Sequence, residues 1–400
     1  MKYVVILADG CADMPVEALG GKTPLDAADK PHMDMFARDG KLFLVKTIPD
    51  GMKPGSDVAN IAVLGYDPRT CYTGRSSLEA ASMGIELKDN QTTFRVNLVT
   101  LSDEANYADK TMLDYSAGEI TTAEGNALMA EVEKRLGGGG MHFFGGVSYR
   151  NLCIWDNAPK KFNLTPPHDI SSRIVGDYLP DNEALLRLMV ESNKFLPDCE
   201  VNKKRTASGK NTANSLWIWG EGTKPTMENF EAKNSVRGAV VSAVDLVKGI
   251  AILAGMKSID VQGATGTLST NFAGKAQAAI DALLKDDFDL VYVHLEAPDE
   301  CGHQGDAAGK IKSLELIDSL VIAPILSALE KSGEDYSFML MPDHPTPVKT
   351  RTHDSTAVPC AIYRKSDSKK ESSTRFCEAD ANTKGEYIAE GFTMMKRFLG

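Results

Sequence analysis

The chain has 400 residues, more than one hydrophobic core usually organises, so two domains are expected. Hydrophobic residues make up 42% and charged residues 25%, a globular composition that excludes disordered and fibrous classes. A formal net charge of −11 argues against a nucleic-acid partner, because phosphate backbones are held by clustered Lys and Arg; an anionic ligand must here be met by local positive charge or by metal.

Val4-Val5-Ile6-Leu7 is a continuous aliphatic run without alternation, the pattern of a parallel strand buried on both faces, and Asp9 stands just past its end. The same run is too short for a secretory leader, and no stretch reaches the roughly 18 apolar residues of a membrane helix. A cytoplasmic protein without a membrane partner is expected. Thr23-Pro24 predicts a helix start, with Met33, Phe36 and Ala37 on its inner face and Gly40 as its stop. Ser56, after Gly55 and ahead of Val58, Ala59, Ile61 and Ala62, suits a helix N-terminus. A segment of different texture follows, with the glycine run Gly137 to Gly140, Pro166-Pro167, Lys203-Lys204-Arg205 and the Trp217/Trp219 pair. It predicts a domain inserted at 77–235, splitting an outer domain into 1–76 and 236–400.

The outer pattern then returns. Asp289 to Leu295 and Phe338 to Met341 are again apolar runs, followed by Asp299 and by Asp343-His344. Between them Ile311, Leu314, Ile317 and Leu320 mark a helical face that should end at Pro324. Three predicted strands thus each place a carboxylate beyond a C-terminal end, where open α/β sheets bind their ligands. The seven cysteines are scattered, with no Cys-x-x-Cys pair, and read as free thiols.

Asp299 and His303 are four residues apart, which places both on one face if the segment is helical. With Asp9, Asp343, His344 and His353 they make three carboxylates and three imidazoles, enough for two divalent ions. Such mixed oxygen and nitrogen sets suit Mn²⁺ or Zn²⁺ better than an all-oxygen Mg²⁺ cage. Ser56 is the candidate nucleophile: helix N-termini attract phosphate, and a bound metal is the expected means of activating a bare hydroxyl. Taken singly, Ser56 is more simply a helix cap and Asp299/His303 a solvated helix face. Their co-occurrence at predicted strand ends favours a site.

The segments Gly20-Gly21-Lys22-Thr23-Pro24-Leu25, Gly55-Ser56-Asp57, Leu64-Gly65-Tyr66-Asp67-Pro68, Tyr72-Thr73-Gly74-Arg75, Glu296 to His303 and Pro342-Asp343-His344 resemble archaeal-type cofactor-independent phosphoglycerate mutases across essentially the whole chain. The resemblance implies an alkaline-phosphatase-like doubly wound α/β domain with an inserted α/β (α+β) transferase domain. It implies two divalent ions, Mn²⁺ first with Zn²⁺ or Mg²⁺ as alternatives, and no 2,3-bisphosphoglycerate. Asp9, Ser56, Asp343 and His344 would hold one ion and Asp299, His303 and His353 the other. Ser56 would carry the phosphoryl group of a small phosphorylated substrate, bound through Arg150, His168, Asp169 and Lys248, during interconversion of 3- and 2-phosphoglycerate.

Two positions depart from that family pattern. Asp114-Tyr115-Ser116-Ala117-Gly118-Glu119 stands where the mutases carry an Asp-Arg-Arg-Ala-Gly-Arg-like segment, and Trp219 stands where they carry an Arg before Gly. Arginine forks suit a phosphate and a carboxylate on one substrate, so their replacement, with Glu119 added, weakens the case for a doubly anionic ligand. A bacterial branch with the same pattern has been proposed as homoserine kinase, and Glu119 could pair with an amino acid's ammonium group. No G-x-x-x-x-G-K-[ST] loop is present, so such a kinase would act through Ser56 and the metals. A phosphatase with water as acceptor is the weaker alternative. The absence of a Cys-x-Pro-x-Arg motif disfavours a sulfatase.

Overall fold

In this computed structural model the described residues, 1–367 and 373–400, form thirteen strands. They are β1 (Lys2–Ala8), β2 (Lys41–Val45), β3 (Gln91–Leu101), β4 (Met112–Asp114), β5 (Met141–Val147), β6 (Arg150–Asp156), β7 (Ser215–Thr223), β8 (Gly238–Val241), β9 (Lys257–Ile259), β10 (Leu290–Leu295), β11 (Tyr336–Met341), β12 (Val358–Arg364) and β13 (Glu386–Ile388). The chain divides into an outer unit, Met1–Tyr72 with Thr226–Gly400, and an inserted unit, Thr73–Pro225.

The outer unit is built on an eight-stranded sheet in the order β13-β2-β12-β11-β1-β10-β8-β9. β1 lies at its centre, parallel to both β10 and β11. Alternation along these strands divides two cores. Val4, Ile6, Ala8, Val291, Val293 and Phe338 pack with Phe36, Ala276 and Ile325, from helices Pro31–Asp39, Phe272–Leu284 and Ala323–Ser332. Tyr3 and Tyr292 face the other side, where Tyr3 meets Phe398 edge-on at 5.4 Å and Tyr292 reaches helix Ser56–Val63. Helices on both faces explain why these strands read as unbroken apolar runs.

Two expected helix ends are displaced, both at prolines. The helix starting at Thr23-Pro24 stops at Ala27, and a second, Pro31–Asp39, continues to Gly40. Pro31 forces Lys30 out of the helical region, to φ −140° and ψ 63°, so the chain breaks and restarts. The helix Ala307–Ile317 does not end at Pro324. A π-helical segment, Asp318–Ile322, carries the chain into Ala323–Ser332, where proline sits in the first turn and its missing N–H costs little.

The inserted unit is an antiparallel sheet with β3 between β6 and β7, β5 beyond β6, and β4 on the end of β3. Phe94, Val96, Leu98 and Trp217 pack there with Leu128 and Leu188, from helices Thr122–Leu136 and Glu183–Phe195. Its limits differ from the expected 77 and 235. Residues 226–235 stay with the outer unit because Phe230 is buried there and the Tyr66 hydroxyl donates to the Glu228 carbonyl at 2.8 Å. No helix among the described residues is long and apolar enough to cross a membrane.

Candidate metal centre

Parallel packing of β11, β1 and β10 brings their C-terminal ends side by side, and the residues just beyond them form the site. Asp9 follows β1, Asp343 and His344 follow β11, and Asp299 and His303 lie on helix Ala297–Gln304, directly after β10. Gly10 makes the close approach possible: its φ is +61°, and a Cβ there would lie 2.5 Å from Asp299 Oδ1. Asp9, Asp343 and His344 present ligand atoms all within 4.8 Å of one another, as do Asp299, His344 and His353. His303 Nε2 is 3.3 Å from Asp299 Oδ2 and 2.9 Å from His353 Nε2. Ser56, the first residue of its helix, places Oγ 3.1 Å from His344 Nε2. All seven residues expected as metal ligands therefore converge. The Asp343/His344 end is closed, with both side chains 0% exposed, whereas His303 and His353 are 36% and 25% exposed and open to ligand.

The electrostatics call for a cation. Three carboxylates are packed together, and burial, then Asp343 and Asp299, push the Asp9 carboxyl well above the usual range. Asp9 Oδ1 is the one buried side-chain polar atom among the described residues without a hydrogen-bond partner. Burial raises Asp299, yet its hydrogen bond to His303 and the charges of His344 and His303 hold it below the usual range overall. His353, by burial and then by neighbouring His344, falls to about 4. Its hydrogen bond to Asp299 lifts His303 from 6.5 to about 9. Two imidazole nitrogens 2.9 Å apart can share one proton, or both can turn lone pairs to a metal. An orphaned buried carboxylate oxygen beside mixed oxygen and nitrogen donors fits divalent metal ions.

For the metal-free protein this sets a sign. His303 has a folded pKa above its unfolded value, so its pairing with Asp299 stabilises fully below about pH 6.5 and is lost as pH rises through about 9. Denaturation in chelator should therefore show the stability gap between wild type and His303→Asn narrowing from pH 6 to pH 10. A gap independent of pH would refute it.

Several supporting residues escape sequence reading. His294 Nε2 lies 2.8 Å from Asp9 Oδ2, and burial lowers this imidazole to about 3, so it is neutral and donates the bond, leaving Oδ1 free. The one available signal was a histidine within the otherwise apolar run Leu290–Leu295. Asn60 has both amide hydrogens and its carbonyl oxygen engaged: Nδ2 donates to Ser56 O at 2.8 Å and Asp343 Oδ2 at 3.0 Å, and Oδ1 accepts from Tyr292 at 2.6 Å. It ties the serine's helix to a ligand carboxylate. Asn60→Ala should weaken Mn²⁺ binding by about 10–100-fold, measured by calorimetry, as loss of an orienting partner typically does. Thr346 Oγ1 bonds Asp299 Oδ1 and lies 3.3 Å from His344 Nδ1; nothing in the sequence marked it.

The family model for 2,3-bisphosphoglycerate-independent phosphoglycerate mutase matches residues 37–202. A 2,3-bisphosphoglycerate-independent phosphoglycerate mutase of Methanothrix thermoacetophila is 48% identical over 365 residues, covering 90% of each chain. The chain belongs to this mutase family. In fold, the PH0037 protein from Pyrococcus horikoshii matches with a TM-score of 0.82 at 28% identity, over 100% of this chain and 97% of that one. The cofactor-independent phosphoglycerate mutase from Thermoplasma acidophilum matches with a TM-score of 0.66 at 23% identity over the full length of both. Family membership carries with it the use of divalent metal.

In this mutase-family chain the expected substrate residues fall into both units. In the inserted unit the His168 ring meets Tyr115 at 6.2 Å and Trp219 at 5.4 Å, with Asp169 Oδ1 3.6 Å from His168 Nε2. Tyr115 meets Tyr149 at 5.9 Å, and the Arg150 guanidinium lies over Tyr149 at 5.3 Å. Trp219 takes a role its position did not announce: its indole covers Arg95 at 4.2 Å while its N–H donates to Asn97 Oδ1 at 2.9 Å, and Glu79 binds the same guanidinium at 3.0 Å. Glu119 is exposed in a left-handed turn, φ +51°. Lys248, in the outer unit, pairs with Asp260 at 2.7 Å.

Proposed function

We propose that this chain interconverts 3-phosphoglycerate and 2-phosphoglycerate without 2,3-bisphosphoglycerate, through a phosphoseryl intermediate on Ser56. The observation that carries the reading is a serine hydroxyl at a helix N-terminus, 3.1 Å from His344 Nε2, which itself lies 4.0 Å from the orphaned Asp9 Oδ1, in a chain of this family. Asp9, Ser56, Asp343 and His344 would hold one ion and Asp299, His303 and His353 the other. When bound, the ions lower the pKa of the serine hydroxyl and neutralise charge on the phosphoryl oxygens.

The remaining steps belong to the side chains. Ser56 Oγ gives up its proton and forms a bond to phosphorus as the bond to the substrate's ester oxygen breaks and that oxygen takes up a proton; the phosphoryl group returns to the neighbouring hydroxyl, and the proton to Ser56, by the reverse exchange. A helix N-terminus such as that at Ser56 favours an anion through its first backbone N–H groups, of which the Val58 N–H is already bonded to Asp57 Oδ1 at 2.9 Å. His294 and Asn60 keep Asp9 and Asp343 in place through the bonds described above. Arg150, His168 and Asp169 of the inserted unit are the residues proposed to hold the glycerate, and Lys248 is the candidate substrate residue of the outer unit. Mn²⁺ is the preferred ion, with Zn²⁺ or Mg²⁺ as substitutes.

A second reading, phosphorylation of homoserine by the same serine, is favoured by the exposed Glu119 carboxylate and by Arg95 being taken up by Glu79 and Trp219. A coupled assay on the Mn²⁺-loaded protein separates the two. Isomerisation of 3-phosphoglycerate, absent in Ser56→Ala, is the expected result. Phosphohomoserine formed from homoserine and ATP, without isomerisation, would replace the mutase reading with the kinase one.

A further inference from the structure

Lys310, on helix Ala307–Ile317, is completely buried, and no part of the chemistry above uses it. Its ammonium has three acceptors: Asp13 Oδ2 at 2.7 Å, Thr346 O at 2.8 Å and Ala12 O at 3.2 Å. These satisfy its three N–H groups, as a charge removed from water requires. They also come from different places in the chain. Ala12 and Asp13 belong to the loop after β1 that begins with Asp9, and Thr346 to the loop after β11 that begins with Asp343-His344.

The links multiply around that ammonium. Asp13 Oδ2 also accepts the Val348 N–H at 3.1 Å, so one carboxylate oxygen clamps both loops. Thr346 N–H donates to Ala12 O at 3.3 Å. The Thr346 side chain then touches a residue of each ligand group, Asp299 Oδ1 and His344 Nδ1. Behind it, helix Ala297–Gln304 approaches so closely that a Cβ at Gly302 would lie 2.2 Å from Thr346 O. Asp13 is itself anchored, its N–H donating to Glu378 Oε1 at 2.9 Å.

We propose that Lys310, paired with Asp13, is a positioning residue that fixes the spacing between the two metal subsites by locking the loops that carry Asp9 and His344 against the Thr346–Asp299 contact. The proposal rests on the ligand assignment given above. It differs from a purely structural role in its readout: a merely structural pair would change folding stability and leave the Mn²⁺ affinity of the folded protein unchanged.

The test uses the full chain, stripped of metal and titrated with Mn²⁺ while free Mn²⁺ is followed by electron paramagnetic resonance. Lys310→Met alone strands the Asp13 charge and is read only if folded; the Asp13→Asn/Lys310→Met double variant removes both charges and keeps the test open. Leu329→Ala, a buried truncation on helix Ala323–Ser332, serves as a destabilised control. The double variant is expected to keep the metal-free circular-dichroism spectrum, to bind Mn²⁺ at least about 10-fold more weakly, and to lose kcat more than KM, while Leu329→Ala binds Mn²⁺ as wild type does. Unchanged Mn²⁺ affinity in the folded double variant overturns the proposal. Failure of wild type to take up Mn²⁺ overturns the ligand assignment, and the positioning role falls with it.

Discussion

Ser56→Ala is expected to lower turnover by about 10⁴-fold or more, the scale on which removal of a covalent nucleophile is felt. The change removes one oxygen from a partly exposed position at the start of helix Ser56–Val63, so little core packing is lost. The helix keeps its anchors: Asn60 still donates to the backbone carbonyl at position 56 and to Asp343, and Val58, Ala59 and Ile61 stay buried. Metal content should therefore persist, since Asp9, Asp343 and His344 remain. The measurement is turnover alongside metal analysis and a thermal melt. Activity near wild type would remove the phosphoseryl step; lost activity with lost metal would recast Ser56 as chiefly a ligand.

Much of this architecture is legible in the sequence for one physical reason. Strands covered on both faces carry near-continuous apolar runs, and β1, β10 and β11 are such strands, so the carboxylates beyond them can be placed together from the sequence. Pro31 and Pro324 were harder. Proline both starts and stops helices, and whether a chain restarts or widens into a π turn depends on tertiary packing. Ligand residues announce themselves by type, whereas the groups that orient them do not. Asn60, Thr346 and Lys310 act through contacts across 283, 47 and 297 positions, to Asp343, Asp299 and Asp13, and no local pattern encodes such partners. The same holds for Trp219, whose hold on Arg95 follows from the register of β3 against β7.

Stripping the metal should abolish activity, and Mn²⁺ should restore it at concentrations at least about 10-fold lower than Mg²⁺. The argument starts from the donors. Three imidazoles, His303, His344 and His353, converge with Asp9, Asp299 and Asp343, and Mg²⁺ prefers oxygen ligands in a strict octahedron while Mn²⁺ accepts nitrogen. Without ions, the buried carboxylates must take up protons or repel one another, as the upward displacement of Asp9 records. Metal binding should accordingly stabilise the fold as well as activate it: at a free Mn²⁺ concentration 100 times Kd, about 2.7 kcal/mol is gained by linkage, visible as a higher Tm. A chelated sample, shown by elemental analysis to hold no metal yet fully active, would contradict the two-ion site. Mg²⁺ outperforming Mn²⁺ at equal concentration would leave the site standing but remove the imidazoles from direct ligation, because an all-oxygen shell would then have to be doing the binding.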